Sequence, residues 1–199
     1  MVRGIKMQKD SAIKLFKKIP ELHTERLLLR RLKVSDYADM HEYSKQSRVT
    51  KYLLWKEHPD ARYTRDYISF IQTQYRAGQF YDWAIVEKAS GKMIGTVGFA
   101  SLDFDNNSAE IGYVINPDFW YRGYATESVK RIIDFGFDVL NLHRIEARYI
   151  AGNEISRHVM EKCGMVFEGM HRSSLYVKGE YVDVGYCSLI YDDYVKKRF

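Results

Sequence analysis

The chain has 199 residues, 46% of them hydrophobic, with 31 Lys and Arg against 26 Asp and Glu. That length and content fit one globular domain with a real core, and a net charge of +5 suits an anionic cofactor or an acidic partner while falling short of a nucleic-acid binder. No apolar run reaches the ~18 residues of a membrane-spanning helix, two cysteines make no disulfide framework, and no Cys/His cluster has metal-ligand spacing, so a cytoplasmic protein without a metal or membrane partner is expected.

Residues 1–20 are basic and lack the apolar core and cleavage site of a secretory signal. Within them Ser11 to Lys18 predicts a short helix with Ile13, Leu15 and Phe16 on its apolar side, read as an extension packed on a single domain over residues 21–195. Leu27 to Leu32 reads as the first strand. Ser35 reads as the N-cap of a helix running to about Ser44, and Arg48 to Trp55 as a second short helical piece. Arg62 to Ala77 predicts a longer helix, with Tyr67, Ile68, Ile71 and Tyr75 on one face and Gly78 closing it. Strands over Tyr81 to Glu87, Met93 to Asp103 and Ala109 to Ile115 form an antiparallel meander, turned at Ser90-Gly91 and Asp105-Asn106-Asn107. A helix from Tyr124 to Leu140, a strand from Arg144 to Ile150 and a helix from Asn153 to Lys162 follow. Two closing strands cover about Met165 to Tyr176 and Tyr181 to Ile190. The basic end Lys196-Lys197-Arg198 reads as a solvated terminus. The fold class is therefore α/β (α+β), with a mixed, mostly antiparallel sheet of about seven strands and helices on both faces.

The stretch Asn116-Pro-Asp-Phe-Trp-Tyr-Arg-Gly-Tyr-Ala-Thr-Glu127 runs off an alternating strand straight into an amphipathic helix. Strand, glycine-bearing loop and helix start together make an anion site, because the first helical N–H groups lack acceptors and the helix dipole adds positive charge there. Gly123 lets the backbone approach a ligand, and Ala125 keeps the next turn open.

Phe119-Trp-Tyr-Arg-Gly-Tyr-Ala-Thr-Glu127 resembles the acetyl-CoA pyrophosphate loop of the GNAT superfamily of N-acetyltransferases, and in particular its ribosomal-protein (RimJ/RimL-like) branch. Leu22-His-Thr-Glu-Arg-Leu-Leu-Leu-Arg30 is similar to the opening strand of that branch, Glu110-Ile-Gly-Tyr-Val-Ile115 to its central strand, and Asn153-Glu-Ile-Ser156 to its Asn-x-x-Ser helix start. The resemblance covers roughly residues 21–195. Tyr121 departs from it, standing where the branch usually has glycine.

The resemblance implies an acetyl-CoA-dependent N-acetyltransferase whose cofactor enters between two splayed strands. Arg122, Gly123, Tyr124, Ala125 and Thr126 would cradle the pyrophosphate. Tyr113, Val114 and Ile115 would pair with the pantetheine arm, and Asn153 and Ser156 would bond that arm or the sulfur region. Glu110 is the expected general base and Ser156 a candidate for steering a proton to the thiolate. Many superfamily members carry a tyrosine acid seven residues after the asparagine; here that position is Met160. Cys163 reads as a buried replacement for leucine rather than a nucleophile. The expected partner is an amine acceptor, foremost the α-amino group of a protein such as a ribosomal protein. A polyamine or other small amine, and a non-catalytic CoA sensor, are the alternatives. A homodimer is compatible with the branch, although no self-complementary patch shows in one chain.

Overall fold

The computed structural model describes residues 6–198. The first five residues of the expected extension, and the side chains of Lys197 and Arg198 at the basic end, lie outside the described residues. The elements are α1 (Lys9–Lys17), β1 (Leu22–His23), β2 (Leu27–Arg30), α2 (Tyr37–Ser44), α3 (Ser47–Thr50), α4 (Ala61–Ala77), β3 (Asp82–Glu87), β4 (Met93–Asp103), β5 (Ser108–Ile115), α5 (Tyr124–Asp138), β6 (Arg144–Ile150), α6 (Glu154–Lys162), β7 (Val166–Val177), β8 (Glu180–Ile190) and α7 (Tyr191–Arg198).

The eight strands form one sheet in the order β1-β2-β3-β4-β5-β6-β8-β7. Every neighbouring pair is antiparallel except β5 and β6, which run parallel. The sequence predicts about seven strands; the additional one is β1, two residues long and pinned by Leu22 opposite Leu29. It is too short to carry an alternating pattern. The helical piece expected over Arg48 to Trp55 contracts to α3, and Ser35 lies inside a 3-10 turn over Val34–Asp36 instead of capping α2. There Asp36 accepts a hydrogen bond from the Lys33 N–H at 2.7 Å and pairs with Arg30 at 2.8 Å. The α7 helix was not foreseen.

Two layers flank the sheet. On one face Phe16 of α1 packs edge-on against Trp83 and Phe99 of the sheet and Phe135 of α5, at centroid separations of 5.8, 6.4 and 6.4 Å. Successive strand residues point to opposite faces, so Asp82 and Ala84 face the other layer, built from α2 and α4. Tyr75 of α4 closes that layer, its hydroxyl donating to the Asp82 carbonyl at 2.6 Å. The α4 helix starts on Asp60, whose carboxylate accepts from the Tyr63 N–H at 2.7 Å, and ends at Gly78 with φ of 71°.

Candidate active site

The loop after β5 leads into a helix start whose donors an anion could use. The α5 helix begins at Tyr124 with Gly123 as its cap, φ 80°, and no side chain accepts its first N–H groups. Those donors and the positive end of the helix dipole face outward together. Upstream, Asn116 accepts from the Asp118 N–H at 3.1 Å, and the Trp120 indole donates to the Ile115 carbonyl at 2.7 Å, which fixes the path from strand to loop. Tyr121 adopts φ of 61° and is 85% exposed. The backbone keeps the left-handed turn that glycine usually provides, and the tyrosine ring projects into solvent without filling the cradle.

A second segment holds this loop from behind. Glu127 accepts from the Thr24 hydroxyl at 2.6 Å, the Arg26 N–H at 2.9 Å and the Arg26 Nε at 2.7 Å. The same guanidinium donates to the Arg122 carbonyl at 2.9 Å and lies 4.5 Å over the Tyr124 ring. Burial would raise the Glu127 carboxyl, but the hydrogen bonds from Thr24 and Arg26 outweigh it and hold the group below its ordinary value. Sequence reasoning matched Thr24, Arg26 and Glu127 to two separate blocks without joining them; the 2.6 Å Arg26–Glu127 ion pair is what joins the blocks.

Beside the loop the sheet opens. The parallel ladder between β5 and β6 consists of Ser108, Ala109 and Glu110 opposite Arg144, Ile145 and Glu146. From Ile111 to Ile115, β5 keeps its β4 partner and has no ladder partner on the β6 side. Tyr113, Val114 and Ile115 thus border a wedge, with the Ile115 carbonyl held by the Trp120 indole. The far wall is α6. Asn153 caps this helix, its Oδ1 accepting from the Ser156 N–H at 3.3 Å. The Tyr113 hydroxyl reaches across from β5 to the Ser156 carbonyl at 3.0 Å and its Oγ at 2.8 Å. Burial raises the Tyr113 phenol, so it stays protonated at neutral pH. A tyrosine hydroxyl is therefore present beside Ser156, supplied by the strand instead of by the helix position that Met160 occupies. Nothing in the spacing of Tyr113 announces this, because it depends on how α6 packs.

The wedge opens into a cleft of about 630 Å³ between the sheet and the α2–α4 layer. Glu110 lines it and pairs with Arg148 of β6 at 2.7 Å. Burial pushes the Glu110 carboxyl up, against the opposing pull of Arg148. Rings of Tyr43, Trp55, Tyr63, Tyr67 and Phe80 wall the cleft. Asp82, absent from the candidates drawn from the sequence, lies on its floor, where burial pushes the carboxyl up to about 7. Cys163 is buried, its thiol pushed up to about 12 by that burial. Among the described residues no group of His, Cys, Asp and Glu has metal-binding geometry.

The structure brings Glu110, Tyr113, Val114, Asn153 and Ser156 together on one cleft. Ile115 and the loop residues Arg122, Gly123, Tyr124, Ala125 and Thr126 continue from it along the end of β5 and the start of α5.

Residues 26–166 match the acetyltransferase (GNAT) domain family. The chain is 36% identical over 173 residues to the uncharacterized N-acetyltransferase p20 of Bacillus licheniformis, covering 87% of this chain and 97% of that one. It is 34% identical over 153 residues to the putative ribosomal N-acetyltransferase YdaF of Bacillus subtilis, covering 73% and 79% respectively. It is 26% identical over 171 residues to the spermidine N(1)-acetyltransferase of Vibrio cholerae, covering 86% and 96%. The mixed sheet parted at β5, the uncapped α5 and these matches lead to one conclusion: the chain belongs to the GNAT family of N-acetyltransferases.

Proposed function

We propose that the protein transfers the acetyl group of acetyl-CoA directly to a primary amine, foremost the α-amino group of a protein N-terminus, with both substrates bound at once. The observation that carries this reading is the parting of β5 from β6 immediately after Glu110, beside the uncapped start of α5. A peptide-like arm fits the free edge of Tyr113 to Ile115 as an added strand would, while the N–H groups of Gly123 to Thr126 take the pyrophosphate. Acetyl-CoA supplies the activated thioester; the residues position it and manage protons.

Glu110 removes the proton from the incoming ammonium, directly or through one water. The amine nitrogen attacks the thioester carbonyl carbon, a C–N bond forms, and the C–S bond breaks. The departing thiolate takes a proton from the Tyr113–Ser156 hydroxyl pair, whose phenol burial keeps protonated. Direct attack is favoured over an acetyl-enzyme because Cys163 is buried and its thiol is held far from ionisation. The cytoplasm, where acetyl-CoA and nascent N-termini coexist, is the setting this reading implies. The similarity to a spermidine acetyltransferase supports a second reading, in which the acceptor is a small amine and the chemistry is the same.

The test is acetyl transfer from acetyl-CoA to N-terminal peptides, with Glu110→Gln as the control. The variant is expected to lose roughly 10²–10⁴-fold in kcat while its affinity for CoA stays the same. An unchanged kcat would remove Glu110 from the role of base.

A further inference from the structure

We propose that Asp82 is the anchor for a second positive charge on the acceptor, so that the preferred substrate carries two cationic nitrogens: the one acetylated and one held at the far end of the cleft. This deepens the acetyltransferase reading above and rests on it.

The sheet register sets out the geometry. Asp82 lies directly opposite Gly98 on β4, and Gly98 lies directly opposite Gly112 on β5. All three face the cleft side of the sheet. A Cβ on Gly98 would fall 2.3 Å from the Tyr81 carbonyl oxygen and 2.4 Å from both Cα and Oδ1 of Asp82, so glycine lets the Asp82 backbone and its carboxylate lie close against the neighbouring strand. A Cβ on Gly112 would meet nothing within 4 Å. The result is a carboxylate at one side of an open floor that leads to the parted edge of β5. Glu110, two residues before Gly112, shares that face. Two strand spacings across and two residues along place the Asp82 and Glu110 Cβ atoms about 12 Å apart.

Chemistry separates the two carboxylates. Glu110 has Arg148. Asp82, among the described residues, has no hydrogen bond or ion pair to its carboxylate, although it lines the cleft beneath the rings of Tyr43, Tyr67 and Phe80. An acidic group left unpaired among aromatic rings is costly until a cation arrives. A ring that turns its face to such a cation would add its own attraction. A carboxylate kept for stability would have a partner; this one gains its partner from the substrate. Lys56 also lines the cleft, with Glu57 beside it, whereas Arg148 is engaged by Glu110. The second nitrogen could be one end of a diamine or the side chain of a lysine just after a protein N-terminus, and the two sources can be told apart.

The experiment compares hexamethylenediamine with hexylamine, and N-terminal peptides with lysine at the second position against the same peptides with norleucine there. Each is assayed with the wild type and with Asp82→Asn. The wild type is expected to favour the dicationic member of one pair or both by about tenfold or more in kcat/KM, through KM. The pair that shows the preference identifies the source. In Asp82→Asn the preference collapses toward equality while kcat is retained, and the melting temperature at pH 8 rises. A preference that survives the substitution, a wild type without preference, or a variant that loses kcat equally on all four compounds would overturn the proposal. Calorimetric binding of the four compounds to the CoA-bound protein runs alongside. Asp82-dependent binding of a dication without turnover would uphold the anchor and sink the transfer reading; no dication preference in binding would sink the anchor.

Discussion

Three side chains carry expectations that ordinary sequence rules do not supply. Tyr121 holds a left-handed φ of 61° with its ring in solvent. Replacing it by glycine removes the strain of about 1–2 kcal/mol and adds back part of that in unfolded-state entropy, so Tyr121→Gly should stabilise the protein by roughly 0.5–1 kcal/mol in urea denaturation. A loss of stability would mean the exposed ring makes contacts that matter. Asp82 works in the opposite direction from a paired carboxylate. Its pKa in the folded protein is about 7 against the ordinary 3.8, so the folded state holds the proton more tightly. This group therefore favours folding below pH 4, and its contribution is lost as the pH rises through 7. Asp82→Asn should be more stable than the wild type at pH 8 by roughly 1–3 kcal/mol and show no gain at pH 4. Glu110, raised by burial, should give kcat/KM an acidic limb above the usual carboxylate value, which Glu110→Gln removes. The place of Glu110 beside the cleft was legible from the sequence because it lies on the strand feeding the loop. Asp82 was not: in sequence it opens an apolar run, and only the register with Gly98 and Gly112 shows where its carboxylate goes.

Among the elements, the contact between the β1–β2 segment and the start of α5 holds the loop proposed to take the pyrophosphate. Arg26 and Thr24 saturate Glu127, and the same guanidinium holds the Arg122 carbonyl. Glu127→Ala should weaken CoA binding by about tenfold, and a double-mutant cycle with Arg26→Ala should return a coupling of about 1–3 kcal/mol in CoA affinity. Independent effects of the two substitutions would show that the segment only happens to lie near the loop. Most elements were readable from periodicity: α4, with its Gly78 end, and the β3–β4–β5 meander fall where alternation and turn residues put them. The elements that were misjudged are short or polar. α3 has four residues, β1 has two, and α7 has Asp192, Asp193 and two lysines in place of a continuous apolar face. In each, tertiary contacts outweigh local preference.

For the molecule as a whole, α1 and the segment after it are part of the core. Phe16 is fully buried among Tyr81, Trp83, Phe99 and Phe135, and the Trp83 indole donates to the Pro20 carbonyl at 2.7 Å. Phe16→Ala should cost about 3–5 kcal/mol in denaturant unfolding. A cost below about 1 kcal/mol would show that α1 packs on the domain without completing its core. The sequence marked Phe16 as apolar, but it gave no sign that this ring completes the core of a domain whose recognisable motifs begin later. The family was legible because backbone-binding motifs are local. The acceptor was not, because the cleft beside β5 draws on α2, α4, β3, β5 and β6 at once.

The central claim is direct transfer from acetyl-CoA to an amine across the wedge beside β5. Initial rates with acetyl-CoA and an acceptor peptide varied together, with the product read by mass spectrometry, test it most directly. The account predicts acetylated amine, stoichiometric CoA and intersecting double-reciprocal lines. Parallel lines with an acetylated protein intermediate, or CoA binding with no transfer to any amine, would contradict it.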